Sequence, residues 1–435
     1  MISNPKAQTP NPKYLYRTIW RWHFYAGVFC IPFVIVLALT GAIYLFKPYY
    51  EHWQESEYRG LHISGEAISP NQQIQIALNA IPNGKLLSYR LPQTADEAVA
   101  ISVQAEDVWQ VFINPYTGEL LGKQRKDLML MNLVKTFHGE LLLGNVGSIF
   151  VELAACWAIV LIVTGLYLWW PRNANGLAGV VYPRLREGDR IFWRDIHAVI
   201  GIWISALALF LLITGLPWAL VWGSALKEIR RFEIAPVQQD WTQSRAHEHQ
   251  AWRAEASDVF NLTPDILSAA INLKLAAPVE LSVADARHNS WKVSSQSQNR
   301  PLRADVWITT DGSIEKQNNF ADKPFLDRAI GIGVAAHEGY LFGWFNLVLG
   351  VLTCLGLILM SVSGFILWRK RKPDSVLGAP PPMPTSVGFV VVAITIGLAI
   401  FLPLLAISLV ALLLIEFLLL RRMNRLSYWL GLRVK

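Results

Sequence analysis

The sequence predicts a membrane all-α bundle, four core spans in two parallel repeats plus a C-terminal helical hairpin, with two α+β domains on its outer side. Three observations predict it: apolar windows of spanning length, the placing of lysine and arginine, and an internal duplication. Of the 435 residues, 53% are hydrophobic and only 16% charged, too apolar for a water-soluble chain of this size. The apolar residues cluster at 26–46, 149–170, 196–220 and 345–368. At about 1.5 Å per residue, each window crosses a hydrocarbon core of about 30 Å. The first is longer than a signal-peptide core and no small-residue cleavage site follows it, so it reads as a retained span.

Lysine and arginine close to span ends stay in the cytoplasm, which sets the orientation. Lys6, Lys13, Arg17 and Arg21 precede span one; Arg172, Arg184, Arg186, Arg190 and Arg194 separate spans two and three; Arg369, Lys370, Arg371 and Lys372 follow span four. All three segments are placed inside, and the long connections 48–136 and 223–335 outside. The net charge of +7 then reflects topology, and nucleic acid is excluded as a partner. Cys30, Cys156 and Cys354 all fall within spans, so neither a periplasmic disulfide nor a Cys-x-x-Cys-His haem attachment is available. Trp20, Trp22, Trp169, Trp170, Trp193 and Trp368, near span ends, read as interfacial anchors in contact with lipid.

The duplication shows when spans are aligned on their histidines. His23, Gly27, Thr40 and Gly41 match His197, Gly201, Thr214 and Gly215 at a constant offset. His138, Gly144, Gly165 and Trp169 match His337, Gly343, Gly364 and Trp368 at a second one, with Thr164 replaced by Ser363. Both repeats enter from the same side, so they are parallel, related about an axis along the membrane normal. The resulting organisation is 1–47 for the tail and span one, 48–136 for the first outside domain, and 137–171 for span two with a juxtamembrane turn. A cytoplasmic loop at 172–192, span three at 193–222, the second outside domain at 223–335 and span four at 336–369 follow.

Each outside domain reads as a helix followed by antiparallel strands. In the first, a helix over 71–80 precedes strands at 86–91, 98–103, 108–113 and 119–122, with a turn at Asn114-Pro115-Tyr116-Thr117-Gly118. In the second, a helix over 263–273 precedes strands at 280–283, 291–294 and 304–309 and a turn at Asp311-Gly312. Beyond the Pro-rich linker 370–386, the apolar run 387–420 holds Pro403 at its middle. Two short helices turning there return Arg421, Arg422 and Arg425, in the tail 421–435, to the cytoplasm, where one tilted helix would leave them outside.

The chain resembles the PepSY-associated transmembrane family. The likeness rests on Trp22-His23-Phe24-Tyr25-Ala26-Gly27, on Val111-Phe112-Ile113-Asn114-Pro115-Tyr116-Thr117-Gly118-Glu119, on Phe137-His138-Gly139-Glu140-Leu141 and on Gly364-Phe365-Ile366-Leu367-Trp368. It covers nearly the whole chain, with Thr309-Thr310-Asp311-Gly312 in place of the fuller turn and Glu-Gly after His337. The resemblance implies PepSY-like outside domains, b-type haem, and the activity of inner-membrane ferric-siderophore reductases.

Histidines at span ends are costly and mark candidate sites. His23 and His197 fall at the inner ends, His138 and His337 near the outer ends of spans two and four. From His23 to Thr40 alone the helix rises about 26 Å. The economical pairings are therefore His23 with His197 and His138 with His337. Two imidazoles from facing helices suit the axial positions of a haem iron, whereas zinc or copper usually wants three or four donors. The expectation is two non-covalent, bis-histidine haems b, set against histidines that only hydrogen-bond or snorkel. The glycines along the spans suit either a flat macrocycle or close helix packing. His52, His62, His247, His249 and His288 read as solvated, and no nucleotide or flavin motif occurs.

Two redox groups at opposite faces would carry single electrons outward from a quinol or a cytoplasmic reductase to a ferric siderophore or other ferric chelate. The rivals are a non-enzymatic role, in which the outside domains bind or regulate a periplasmic protein or peptidase, and a transporter. A transporter would place polar residues at the midplane, where these spans are nearly all apolar.

Overall fold

The computed structural model describes residues 12–172, 176–231, 253–382 and 388–432; Lys6, His247 and His249 lie outside the described residues. Two compact units result, one helical (Met1–Gly41, His138–Pro236 and Val351–Lys435) and one built on a sheet (Ala42–Phe137 and Val237–Gly350).

The helical unit takes its long helices from α1 (Pro12–Tyr44), α5 (Asn145–Trp169), α6 (Asp189–Gly215) and α10 (Trp344–Arg371). All four are long and apolar enough to cross a membrane, as is the stretch Pro403–Leu420. The protein is thus a membrane protein. The repeat is visible in detail: Trp169 and Trp368 each donate from Nε1 to a carbonyl of the loop after their span, Val180 at 3.1 Å and Leu377 at 2.8 Å. The three cysteines are buried and free.

The C-terminal run breaks at Leu402 into α11 (Phe389–Phe401) and α12 (Pro403–Ile415), because Pro403 has no N–H to donate and begins a helix well. The Arg21 guanidinium donates to the carbonyls of both Pro380 and Gly431, and Leu377 N–H donates to Trp429 O at 2.8 Å. The run therefore leaves and returns at one end of α1, as a hairpin does. At its tip, Leu402 and Leu405 pack on Cys156, Ile159 and Leu216, and Trp222 Nε1 donates to Phe401 O at 2.9 Å.

In the sheet unit, α3 (Pro70–Ala80) starts where Ser69 and Gln72 form a capping box with Pro70 in the first turn. It is followed by β1 (Lys85–Arg90), β2 (Val99–Gln104), β3 (Val108–Ile113) and β4 (Leu120–Arg125). The second half repeats this with α8 (Pro264–Asn272), capped by Thr263, then β5 (Val279–Asp285), β6 (Ser290–Ser295), β7 (Ala304–Ile308) and β8 (Ile314–Asn319). Sequence reading separated two domains. The structure joins them, since β1 and β5 pair antiparallel (Tyr89 opposite Leu281, Arg90 opposite Glu280) to give the order β4-β3-β2-β1-β5-β6-β7-β8. One core serves both halves, with Ile74, Ile101 and Ile113 from the first and Leu281, Trp291 and Val306 from the second. The outer strands β4 and β8 are polar and largely open to solvent, and each carries a lysine, which suits sheet edges. The two turns are held by different side-chain chemistry. Asn114 Oδ1 accepts from the N–H of Tyr116 and Thr117. Asp311 accepts from the Thr309 and Ser313 hydroxyls, and these bonds hold its carboxyl down at about 2.

Candidate functional site

All four histidines are half-buried. His23 lies in α1 and His197 in α6, and their rings meet with centroids 6.4 Å apart and planes crossed at 84°. The pairing expected for one level of the bundle is thus present in the helical unit. His138 belongs to the same unit, at the other level. It rides not on the span but on α4 (Leu130–Glu140), a separate short helix. Leu141, Leu142 and Gly144 take positive φ and turn the chain from α4 into α5. His337 lies in the sheet unit as the last residue of α9 (Phe325–His337), likewise ahead of its span. The turn after it is anchored, for Tyr340 Oη donates to Leu45 O at 2.6 Å and Asn346 Nδ2 to Ala336 O at 2.9 Å.

A neutral imidazole has one protonated nitrogen and one lone pair, and its neighbours decide which is which. The Thr164 hydroxyl oxygen lies 2.7 Å from Val160 O, one turn back, and 2.9 Å from His23 Nδ1; with its hydrogen on the carbonyl, it accepts from the ring. In that arrangement Nδ1 of His23 carries the proton, and Leu161 is a backbone hydrogen-bond partner of the same ring. Thr40 repeats the arrangement, donating to Val36 O at 2.8 Å and accepting from His138 Nδ1 at 2.9 Å. At His197, Nδ1 faces Ser363 Oγ and the Met360 carbonyl, each at 3.1 Å, and a carbonyl cannot donate. A ring protonated at Nδ1 keeps on Nε2 the lone pair that a metal ion requires.

The residue after each hydroxyl is glycine, and the structure shows why. A Cβ on Gly165 would stand 3.2 Å from His23 Cε1, one on Gly364 3.3 Å from His197 Cε1, and one on Gly41 3.4 Å from His138 Cε1. These three glycines seat imidazole edges. Gly27 and Gly201 instead face side chains, Leu161 and Met360, on neighbouring helices. The exchange within repeat one is reciprocal: the Thr-Gly step of span one holds His138, and that of span two holds His23. Thr214-Gly215 is the corresponding step of span three.

Two acidic groups near the spans escaped the sequence reading. Glu152, 2% exposed within α5, accepts from the N–H groups of Val221 (2.8 Å) and Trp222 (3.0 Å) at the start of α7 (Leu220–Arg231). A carboxylate there satisfies N–H groups that a helix start leaves without partners and meets the positive end of its dipole. Asp195, fully buried, binds Arg184 through two bonds (2.7 and 3.1 Å) and Arg194 at 2.7 Å, fastening the loop before α6 two residues from His197. Among the described residues no group of three or more His, Cys, Asp and Glu comes together as a metal site.

Of the other histidines, His52 pairs with Arg59 at 2.6 Å, His288 with Asp285 at 2.9 Å, and His62 is exposed. The sheet unit also has a small open cleft bordered by Tyr58, Phe112, Arg59 and Arg90. Glu55 and Glu97 already neutralise its two guanidinium groups.

A family model described as the PepSY-associated TM region matches residues 20–371, everything from just before His23 to the end of α10. The hairpin beyond lies outside the match. No curated protein matches the chain.

Proposed function

We propose that this chain, which belongs to the family of the PepSY-associated TM region, is a transmembrane haem-b oxidoreductase that passes electrons outward to ferric chelates, ferric siderophores in particular. The observation that carries the reading is the His23–His197 pair. Two imidazoles could share one metal ion only where their helices bring the ring centres close together. Here they are 6.4 Å apart. A site of only two protein donors suits an iron that brings its other ligands with it. Bound there, haem would supply a reversible one-electron carrier.

His23 and His197 would hold the inner group, and His138 and His337, matched by the repeat, the outer one. Thr164, Ser363 and Thr40 keep the Nδ1 proton in place, and the glycines admit the rings. In this reading, which the lysine and arginine distribution supports, the protein lies in a bacterial cytoplasmic membrane with the sheet unit in the periplasm. A potential negative inside favours outward electron movement by about 2.3 kcal/mol per elementary charge per 100 mV. The donor in this reading is a quinol or a cytoplasmic reductase. One electron converts chelated Fe(III) to Fe(II), which hard oxygen donors hold less well, so the metal is released.

The absorption spectrum of the purified protein tests this. A Soret band that shifts on dithionite reduction and returns on oxidation is expected. Protein from haem-replete cells without such a band would leave the role of binding or regulating a periplasmic protein.

A further inference from the structure

We infer that α4 and α9 are in-plane helices at the outer surface of the membrane, whose apolar stripes sink into the lipid headgroup layer and hold the outer histidines at that depth. The surface stands whether or not those histidines bind haem. In α9, Phe325, Ala329 and Ile332 follow one another at helical spacing and are exposed on one face, while Asp327, Gly331, Val334 and Ala335 are buried on the opposite one. The buried face packs closely, for a Cβ on Gly331 would stand 2.6 Å from Cε2 of Phe320. Phe325 is left 79% exposed. In α4, Leu130 and Phe137 are exposed and Leu133 half-buried along one side, with Met131 and Val134 buried beside them. Leu130, Leu133 and Phe137 precede His138 by the same intervals at which Ala329, Ile332 and Ala336 precede His337. Both repeats thus keep an apolar face where a helix in water would carry polar residues.

The chain itself brings lipid to these faces. Only Leu141–Gly144 separates α4 from α5, and only Glu338–Gly343 separates α9 from α10, and α5 and α10 are long and apolar enough to cross a membrane. Both connections are tight: the Glu140 carbonyl leaves no room for a Cβ on Gly147, and Asn346 in the first turn of α10 donates to Ala336 O near the end of α9. Leu142, Leu143, Phe342 and Trp344, all exposed, carry the apolar surface on to the spans, with the tryptophan suited to the interface. At about 1.5 Å per residue α9 is about 20 Å long, so upright it would lift Phe325 that far into water. Lying flat, it keeps the ring at the boundary of headgroups and acyl chains.

The experiment uses the full chain in vesicles of phosphatidylethanolamine and phosphatidylglycerol, spin-labelled singly at Leu130→Cys, Phe325→Cys or Ile332→Cys. Ile314→Cys on β8 and Leu355→Cys on α10, both exposed, give the water and lipid references. The three native cysteines are buried, and wild type labelled in parallel gives their background. Relaxation by oxygen, which concentrates in lipid, is compared with relaxation by a water-soluble nickel chelate present on both sides of the membrane. At 130, 325 and 332 the oxygen-to-nickel ratio should lie several-fold above that at 314 and below that at 355. Ratios equal to that at 314 overturn the proposal, and ratios equal to that at 355 do so too, because the helices would then be inserted in the hydrocarbon. Labels immobile and screened from both agents also overturn it, since a protein would then cover the stripe. Because the three positions lie on two helices, one variant that fails to fold leaves the comparison decided by the others.

Discussion

His197→Ala is expected to abolish the low-spin spectrum of the inner haem while leaving that of the outer one. On the proposed reading the inner site has two protein donors, and the substitution removes one of them outright. Ser363 and the Met360 carbonyl lie on the Nδ1 side of the ring, away from the Nε2 that would bind the iron. The iron would be five-coordinate and high-spin, or lost. The outer group is insulated because His138 is held by Thr40, 17 residues along α1 from His23, a rise of about 26 Å. Magnetic circular dichroism or EPR of the folded variant checks this. Loss of both low-spin signals from the single substitution would mean that the pairing is wrong.

The second large effect concerns transfer across the membrane. Sealed vesicles with the sheet unit outward, reductant inside, and a ferric siderophore with a ferrous trap outside should turn over with wild-type protein and fall to background with His337→Ala. His337 closes α9 in the unit assigned to the periplasm, and its turn is tied down through Tyr340 and Asn346, so deletion of the ring should not unmake the fold. Equal rates in the two preparations would show that the outer histidines are bypassed. No rate in either would favour the binding-protein role.

Much of this architecture was legible in the sequence. Apolar windows must become helices in lipid because the backbone has no water to bond, and the constant offsets between histidines exposed the duplication. Strand β3 was readable to the residue, since alternation and a turn signal bracket it. The joining of β1 to β5 was not, because nothing local in Leu86–Arg90 says that its free edge will meet a strand about 190 residues away. The separation of α4 from α5 was only half visible. Gly144 marks a turn, but Leu141 and Leu142 in left-handed conformation carry no sequence signal. At the site, the histidines stood out as costly residues, while Thr40, Thr164 and Ser363 entered only as matches in the repeat. Their partners lie on other helices, though the recurring hydroxyl-glycine step could have raised the question. Glu152 was hidden for a related reason: its partners are backbone N–H groups of a helix start.

The central claim is that two pairs of histidines hold two haems without covalent attachment. Acid-acetone extraction of purified protein, with haem measured against polypeptide, tests it most directly. The account predicts about two extractable haems b per chain and a colourless polypeptide. No haem in the extract, or haem retained on the chain, would contradict it.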